Sequence, residues 1–222
     1  MKLDKKHISQ IEKYLDSKEL VQVDLRTEVL DHMAMNIENV MESHNLTFED
    51  AFNNEVRIWN VELKGHSSFW LGWYWKGPKL MIDKCVSEFK NMFKIFFGLF
   101  TVLLVIWVFF RRVLQIEIPT HEISIILGSI YIGVLCFILI GYHQMKNSVV
   151  ETSFKHLYKI NAVGFAFMYL VFNPIWTNSF QMNAEGMNDL SVIFFHSALL
   201  AIGHLFWALF KKHSITKKTS LV

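Results

Sequence analysis

Glu28, Asp31 and His32 stand at i, i+3 and i+4 of one helical period, with Glu38 about two turns beyond. Carboxylates and an imidazole so spaced share a helix face and could ligate a divalent metal. A ferritin-like centre needs a second such motif from another helix, and the sequence offers none. The face reads more simply as an acidic, solvated or partner-binding surface with a local His–carboxylate pair. His196 and His204 are the second candidates, because ionisable groups inside an apolar run are costly and often functional. Eight residues apart, they are separated by about 12 Å along a helix and about 80° around it. They cannot hold one metal ion or one haem together, and each would need a partner from another helix. The alternative is a neutral histidine hydrogen-bonded across helices, with Ser191, Ser197, Asn161 or Asn173 as partners. There is no phosphate-binding glycine loop, no dinucleotide turn, no His-Glu-x-x-His and no nucleophile elbow. No catalytic residue and no cofactor is assigned, and whether the chain is an enzyme is left open.

The elements that carry these residues follow from composition. Of 222 residues, 52% are apolar and only 19% charged, against about 25% charged in an ordinary soluble domain. The charges are divided. Residues 1–63 hold 7 Lys and Arg against 13 Asp and Glu, a net of −6; residues 64–222 hold 15 against 7, a net of +8. An acidic polar head precedes a basic, apolar body. This excludes a disordered chain, a disulfide-stapled secreted domain and a simple nucleic-acid binder, and it indicates an integral membrane protein. The expected fold is all-α: a three-helix head (1–64), a Trp-rich interfacial segment with an amphipathic helix (65–91), four transmembrane helices (92–210) and a basic tail (211–222).

In the head, a first helix starts after Asp4 and aligns Ile8, Ile11, Tyr14 and Leu15. A second starts at Asp24, taken as its N-cap, with Leu25, Val29, Met33, Ile37, Val40 and Met41 three to four apart. A third opens at Thr47, with Asp50 three residues on in a capping-box-like pair, and aligns Phe48, Ala51, Phe52, Val56, Trp59 and Leu63. The helical pattern breaks at Gly65, Gly72, Gly77 and Pro78. Between these lie Trp70, Trp73 and Trp75, with Phe69 and Tyr74 beside them. Such rings favour the membrane interface, where the apolar body is buried and the N–H or O–H stays wet. Lys79 to Phe93 reads as an amphipathic helix running into the first span.

The spans are expected at about 92–110, 123–142, 157–176 and 190–210, each near the roughly 20 residues that cross a hydrocarbon core. The third is the least apolar, and Asn173-Pro174 should kink or end it. Lys residues crowd the segment before span one, the 2–3 connection and the C-terminal tail, and none lies in the 3–4 connection. By the positive-inside rule both termini are cytoplasmic in a bacterial inner membrane, against which only Arg111 and Arg112 argue. Cys85 and Cys136 read as inert apolar side chains. Ser124/Gly128, Ser129/Gly133, Ala162/Ala166 and Ser197/Ala201 are small pairs that let helices approach. They serve packing within one chain or homo-oligomerisation, and an oligomeric pore or channel accessory is one reading of them.

The run Asp24-Leu25-Arg26-Thr27-Glu28-Val29-Leu30-Asp31-His32-Met33, then Ile37-Glu38, then Leu46-Thr47-Phe48-Glu49-Asp50-Ala51-Phe52 resembles the head of a family of uncharacterised bacterial multi-pass membrane proteins. In these a short helical domain precedes several spans. It is more distantly similar to the helical signalling-type domain of membrane proteins encoded beside PadR-like regulators. The resemblance covers about residues 7–63. It implies a membrane-anchored regulatory or accessory role and supplies no catalytic residue. The expected function is therefore regulation at the membrane, with the head binding a cytoplasmic protein through Glu28, Asp31 and Glu38. An intramembrane cofactor or enzyme site on His196 and His204 is the alternative. The lipid bilayer is the other expected partner, and nucleic acid is not one.

Overall fold

Asp4 ends the extended N-terminus, and its carboxylate accepts the His7 N–H at 2.8 Å. The His7 ring returns to the Asp4 N–H, so two orphan amides of the first turn are satisfied reciprocally. The hydrogen bond from the His7 amide holds the Asp4 carboxyl below its ordinary value. Helix α1 (Lys5–Ser17) buries Ile11 and Leu15. Helix α2 (Val23–His44) buries Leu25, Val29, Met33, Ile37 and Met41 along one stripe, and ends at Asn45 in the left-handed region. Helix α3 (Phe48–Glu62) is capped by Thr47, whose hydroxyl accepts the Asp50 N–H, and buries Phe48, Ala51 and Phe52. These three stripes meet as the head's core.

The computed structural model describes residues 2–72, 74–114, 120–177 and 189–220. Trp73, and residues 178–188 of the 3–4 connection, lie outside the described residues, as do the side chains of Arg111 and Arg112. Two expectations are corrected in the head. Helix α2 begins before Asp24, its N-cap being Gln22 without a side-chain bond. Asp24 thus sits in the first turn, its carboxylate released for another partner. The glycine-punctuated segment also forms a small antiparallel hairpin, β1 (Gly65–Ser67) with β2 (Lys76–Pro78), the one strand pair among the described residues. Its tip holds a 3-10 turn at Phe69–Leu71 that closes on Gly72, at a φ of 95° that a side chain would disfavour.

Strand β2 passes without a gap into α4 (Lys79–Val108), a single helix of 30 residues ending in a π turn, Phe109–Val113. The amphipathic helix and the first span are therefore one rod, about 45 Å long. Helix α5 (Thr120–Lys146) follows, then α6 (Ser153–Val171), the short α7 (Pro174–Thr177) and α8 (Asp189–Thr219). Asn173-Pro174 does break the third span. Asn173 accepts the Ile175 N–H at 3.0 Å as an N-cap, and Pro174 takes the first helical position, where no N–H is needed. Residues 211–219 of the basic tail, expected as a separate segment, continue α8.

Among the described residues, four helices are long and apolar enough to cross a membrane: Lys79–Val108, His121–Lys146, Ser153–Thr177 and Ile193–Thr219. Their outward faces expose Val102, Val105, Ile126, Val163, Phe167 and Phe194, an apolar belt that water would not tolerate on a soluble protein. The protein is a multi-pass membrane protein with an all-α architecture.

The chain forms two compact units. The first gathers residues 1–87, 149–156 and 213–222; the second gathers 88–148 and 157–212. The head is thus discontinuous in sequence. It includes the 2–3 connection and the end of α8. In the second unit the buried positions of α5 are Ser124, Gly128, Tyr131, Ile138, Gly141 and Met145, spaced by three, four or seven as in a helix-bundle seam. Three buried tyrosines fill the bundle. Tyr158 donates to the Ile138 carbonyl at 3.1 Å and packs edge-on against Phe206, and Tyr169 donates to the Leu199 carbonyl. Phenols in an apolar interior need such acceptors.

Candidate functional site

Residues 149–156 are held by three helices of the first unit, and Asp24 is the centre of that grip. Its carboxylate accepts the Ser153 N–H at 2.9 Å, accepts the Ser153 hydroxyl, and lies 3.0 Å from the Lys84 ammonium on α4. The Asp24 side chain is only 7% exposed. Just before it, the Val23 N–H donates to the Glu151 carbonyl at 2.9 Å. Thr152 is the N-cap of α6, accepting the Lys155 N–H at 3.0 Å, and it also shares a 2.9 Å hydrogen bond with the His213 Nδ1 on α8. Lys155 is buried, with its ammonium on the Glu151 carboxylate at 2.5 Å. The Lys84 ammonium also sits over the Phe154 ring, 5.2 Å from its centroid.

The electrostatic logic is that of a helix N-terminus. The first amides of α6 have no intrahelical acceptor, and the helix dipole favours a negative group there. Thr152 supplies one acceptor locally. Asp24, from 129 positions earlier in the chain, supplies the other together with the charge. Lys84 then compensates the buried carboxylate. No bond-making chemistry is implied. The arrangement ties the first turn of α2 to the first turn of the third membrane helix.

The acidic candidates lie further along the same α2. Glu28, Asp31 and His32 are exposed, as is Met35 between them and Glu38. Glu38 is half-buried, with one carboxylate oxygen accepting the Leu3 N–H at 2.8 Å, so it also anchors the N-terminus. Among the described residues, no three His, Cys, Asp or Glu side chains are gathered in a way that could hold a metal ion.

In the spans, His196 and His204 occupy different faces of α8, as their angular separation requires. His196 is buried, and its Nδ1 shares a 2.6 Å hydrogen bond with the Tyr131 hydroxyl of α5. The Tyr131 ring packs edge-on against Tyr169, 5.4 Å away. His204 is exposed beside Trp207, with ring centroids 5.6 Å apart. Tyr131, which the polarity pattern did not single out, is therefore one partner of His196; the Ser191 side chain lies outside the described residues. Asn161 donates to the Leu157 carbonyl of its own helix, at 2.9 Å, and Asn173 donates to the Gly128 carbonyl at 3.0 Å. Of the small pairs, Ser124/Gly128, Ala162/Ala166 and Ser197/Ala201 are buried within the chain, whereas Ser129 and Gly133 face outward.

Reasoning from the sequence passed over Tyr131, Lys84 and Ser153. The available signal for Tyr131 was a phenol in the middle of a span without charges, where its hydroxyl must find an acceptor or donor. Lys84 and Ser153 had no local signal beyond the positions of their helices.

The helical architecture and four helices long and apolar enough to cross a membrane, among the described residues, define a class, the multi-pass membrane proteins. No family model matches the chain, and no curated protein and no solved structure is similar to it at a significant level.

Proposed function

We propose that this is a regulatory or accessory protein of the bacterial inner membrane whose head, on the cytoplasmic side, binds another protein through the acidic face of α2. The observation that carries this reading is the placement of Asp24 and the acidic face on one helix. Its first turn caps the third span's helix at Ser153, while Glu28 and Asp31 stand exposed one and two turns further on. A protein that pulls or tilts α2 acts directly on the start of that membrane helix. The net charge of −6 on residues 1–63 favours a basic partner. The resemblance of residues 7–63 to helical signalling-type heads implies the same kind of role. The cytoplasmic orientation rests on the lysines at the ends of the spans.

Two experiments test it. Reporter fusions at the N- and C-termini should both register the cytoplasm; a periplasmic signal from either removes the basis for a cytoplasmic partner. A photo-crosslinking residue at Met35, which is about half exposed, should trap a partner in native membranes. The charge reversals Glu28→Lys and Asp31→Lys together should lower its yield about tenfold. A crosslink pattern indifferent to these charges would count against the acidic face.

A further inference from the structure

The hairpin at residues 65–78 carries a cluster of exposed aromatic side chains. Tyr74 is 97% exposed and Phe69 77%, and Trp70 and Trp75 are each more than two-fifths exposed, all within seven residues. Leu71 and Pro78 are buried. A soluble surface does not hold four such rings without an occupant.

Three further observations say what the occupant is. The Trp75 ring meets His156 edge-on, with centroids 5.7 Å apart. His156 lies in the first turn of α6, a helix long and apolar enough to cross the membrane. Trp75 is therefore held beside the first turn of that helix. Strand β2 also runs directly into α4, so the hairpin is tethered at the start of a second spanning helix. Finally, an open groove of about 540 Å³ at the hairpin base is lined by Lys18, Lys64 and Lys76, with Glu19 as its one carboxylate among the lining residues. Aromatic rings beside a basic rim match the headgroup layer of an anionic bilayer, whose ester region takes the rings and whose phosphates take the ammonium groups.

We propose that the 65–78 hairpin is a second membrane contact, its Phe69, Trp70, Tyr74 and Trp75 rings seated in the headgroup layer of the same bilayer and Lys18, Lys64 and Lys76 turned to anionic lipid phosphates. The spans anchor the chain, and the hairpin holds the head down. The head would then respond to lipid charge independently of any protein that binds α2, so this contact stands or falls apart from the partner reading.

The test uses the full chain in lipid nanodiscs containing phosphatidylglycerol. In a Cys136→Ser background, where the remaining Cys85 is buried, nitroxide labels are placed by Phe69→Cys, Tyr74→Cys and, as a reference on the exposed side of α3, Arg57→Cys. Accessibility to oxygen relative to a water-soluble nickel reagent should be about threefold or more higher at positions 69 and 74 than at 57. Lys64→Gln with Lys76→Gln, or discs of phosphatidylcholine alone, should lower that ratio. Water-like values at 69 and 74 overturn the proposal. So does exclusion of both reagents, which would mean a protein covers the hairpin, and so does equal shielding at all three positions. Insensitivity to lysine removal and to lipid charge would overturn the anionic part of it.

Discussion

Asp24→Ala should destabilise the first unit by about 2–4 kcal/mol and free the start of α6, the largest single effect expected of a polar residue in this protein. The substitution removes three interactions at once. The Ser153 amide loses its acceptor, the Ser153 hydroxyl loses its partner, and Lys84 loses the carboxylate 3.0 Å away. The expected magnitude lies below that of a fully buried ion pair because Lys84 is 28% exposed and can reach water. Thr152 still caps α6, so the helix should persist while its attachment to α2 loosens. Hydrogen exchange in nanodiscs would read this directly. The amides of Val23 and Ser153, which bond across the 149–156 segment, should lose protection, whereas the α1–α3 core at Ile11, Met33 and Phe52 should keep most of its protection. Asp24→Asn separates the contributions. It retains an acceptor for the Ser153 amide and loses the charge, so it should cost about half as much. If Asp24→Ala leaves exchange at Val23 and Ser153 unchanged, the ionic cap is not what holds the 2–3 connection. The regulatory reading would then lose its route from α2 to the span.

Gly128→Leu should break the docking of α7 onto α5, whereas Gly133→Leu, five residues away on the same helix, should be nearly silent. A Cβ at Gly128 would lie 2.3 Å from the Ile175 Cγ1 and 2.6 Å from the Asn173 Oδ1. Neither neighbour can move freely. Asn173 is pinned twice, donating to the Gly128 carbonyl and accepting the Ile175 N–H, both at 3.0 Å. The overlap must therefore be relieved by displacing the backbone around Pro174, at about 1–3 kcal/mol or more for a side chain as large as leucine. A Cβ at Gly133 meets nothing within 4 Å. Resistance of the reconstituted protein to unfolding by a denaturing detergent should fall for Gly128→Leu and stay within about 0.5 kcal/mol of the parent for Gly133→Leu. The reverse order would mean that Gly133 is buried in an assembly of copies and that Gly128 is not the packing position described. Comparable losses at both would point to two separate contacts.

These two residues also show what could be read without coordinates. The small pair Ser124/Gly128 was visible on α5, but the sequence could not distinguish it from Ser129/Gly133, because both pairs have the same spacing. Only the position of Asn173 and Ile175 distinguishes a packed glycine from an outward one. Pro174 as the end of the third span was legible, since its ring removes a donor and clashes with the preceding turn. That Asn173 would cap α7 and bridge to α5 as well was not.

What the sequence alone determined is whatever depends on local period and composition. The stripes at Leu25–Met41 and Phe48–Phe52, the Thr47 and Asp4 caps, the four apolar spans and the division into an acidic head and a basic body follow from residues within a few turns of one another. Tertiary structure decided where side chains with several possible partners end up. Asp24 looks like the cap of its own helix and instead caps another, 129 positions away; His196 finds Tyr131, 65 positions away. The hairpin and the discontinuous head are of the same kind, since residues 149–156 carry no mark that they belong with residues 1–87. The reason is physical. A helical period is set by neighbours three and four residues apart, whereas a buried polar group takes the partner that the packed chain brings within about 3 Å.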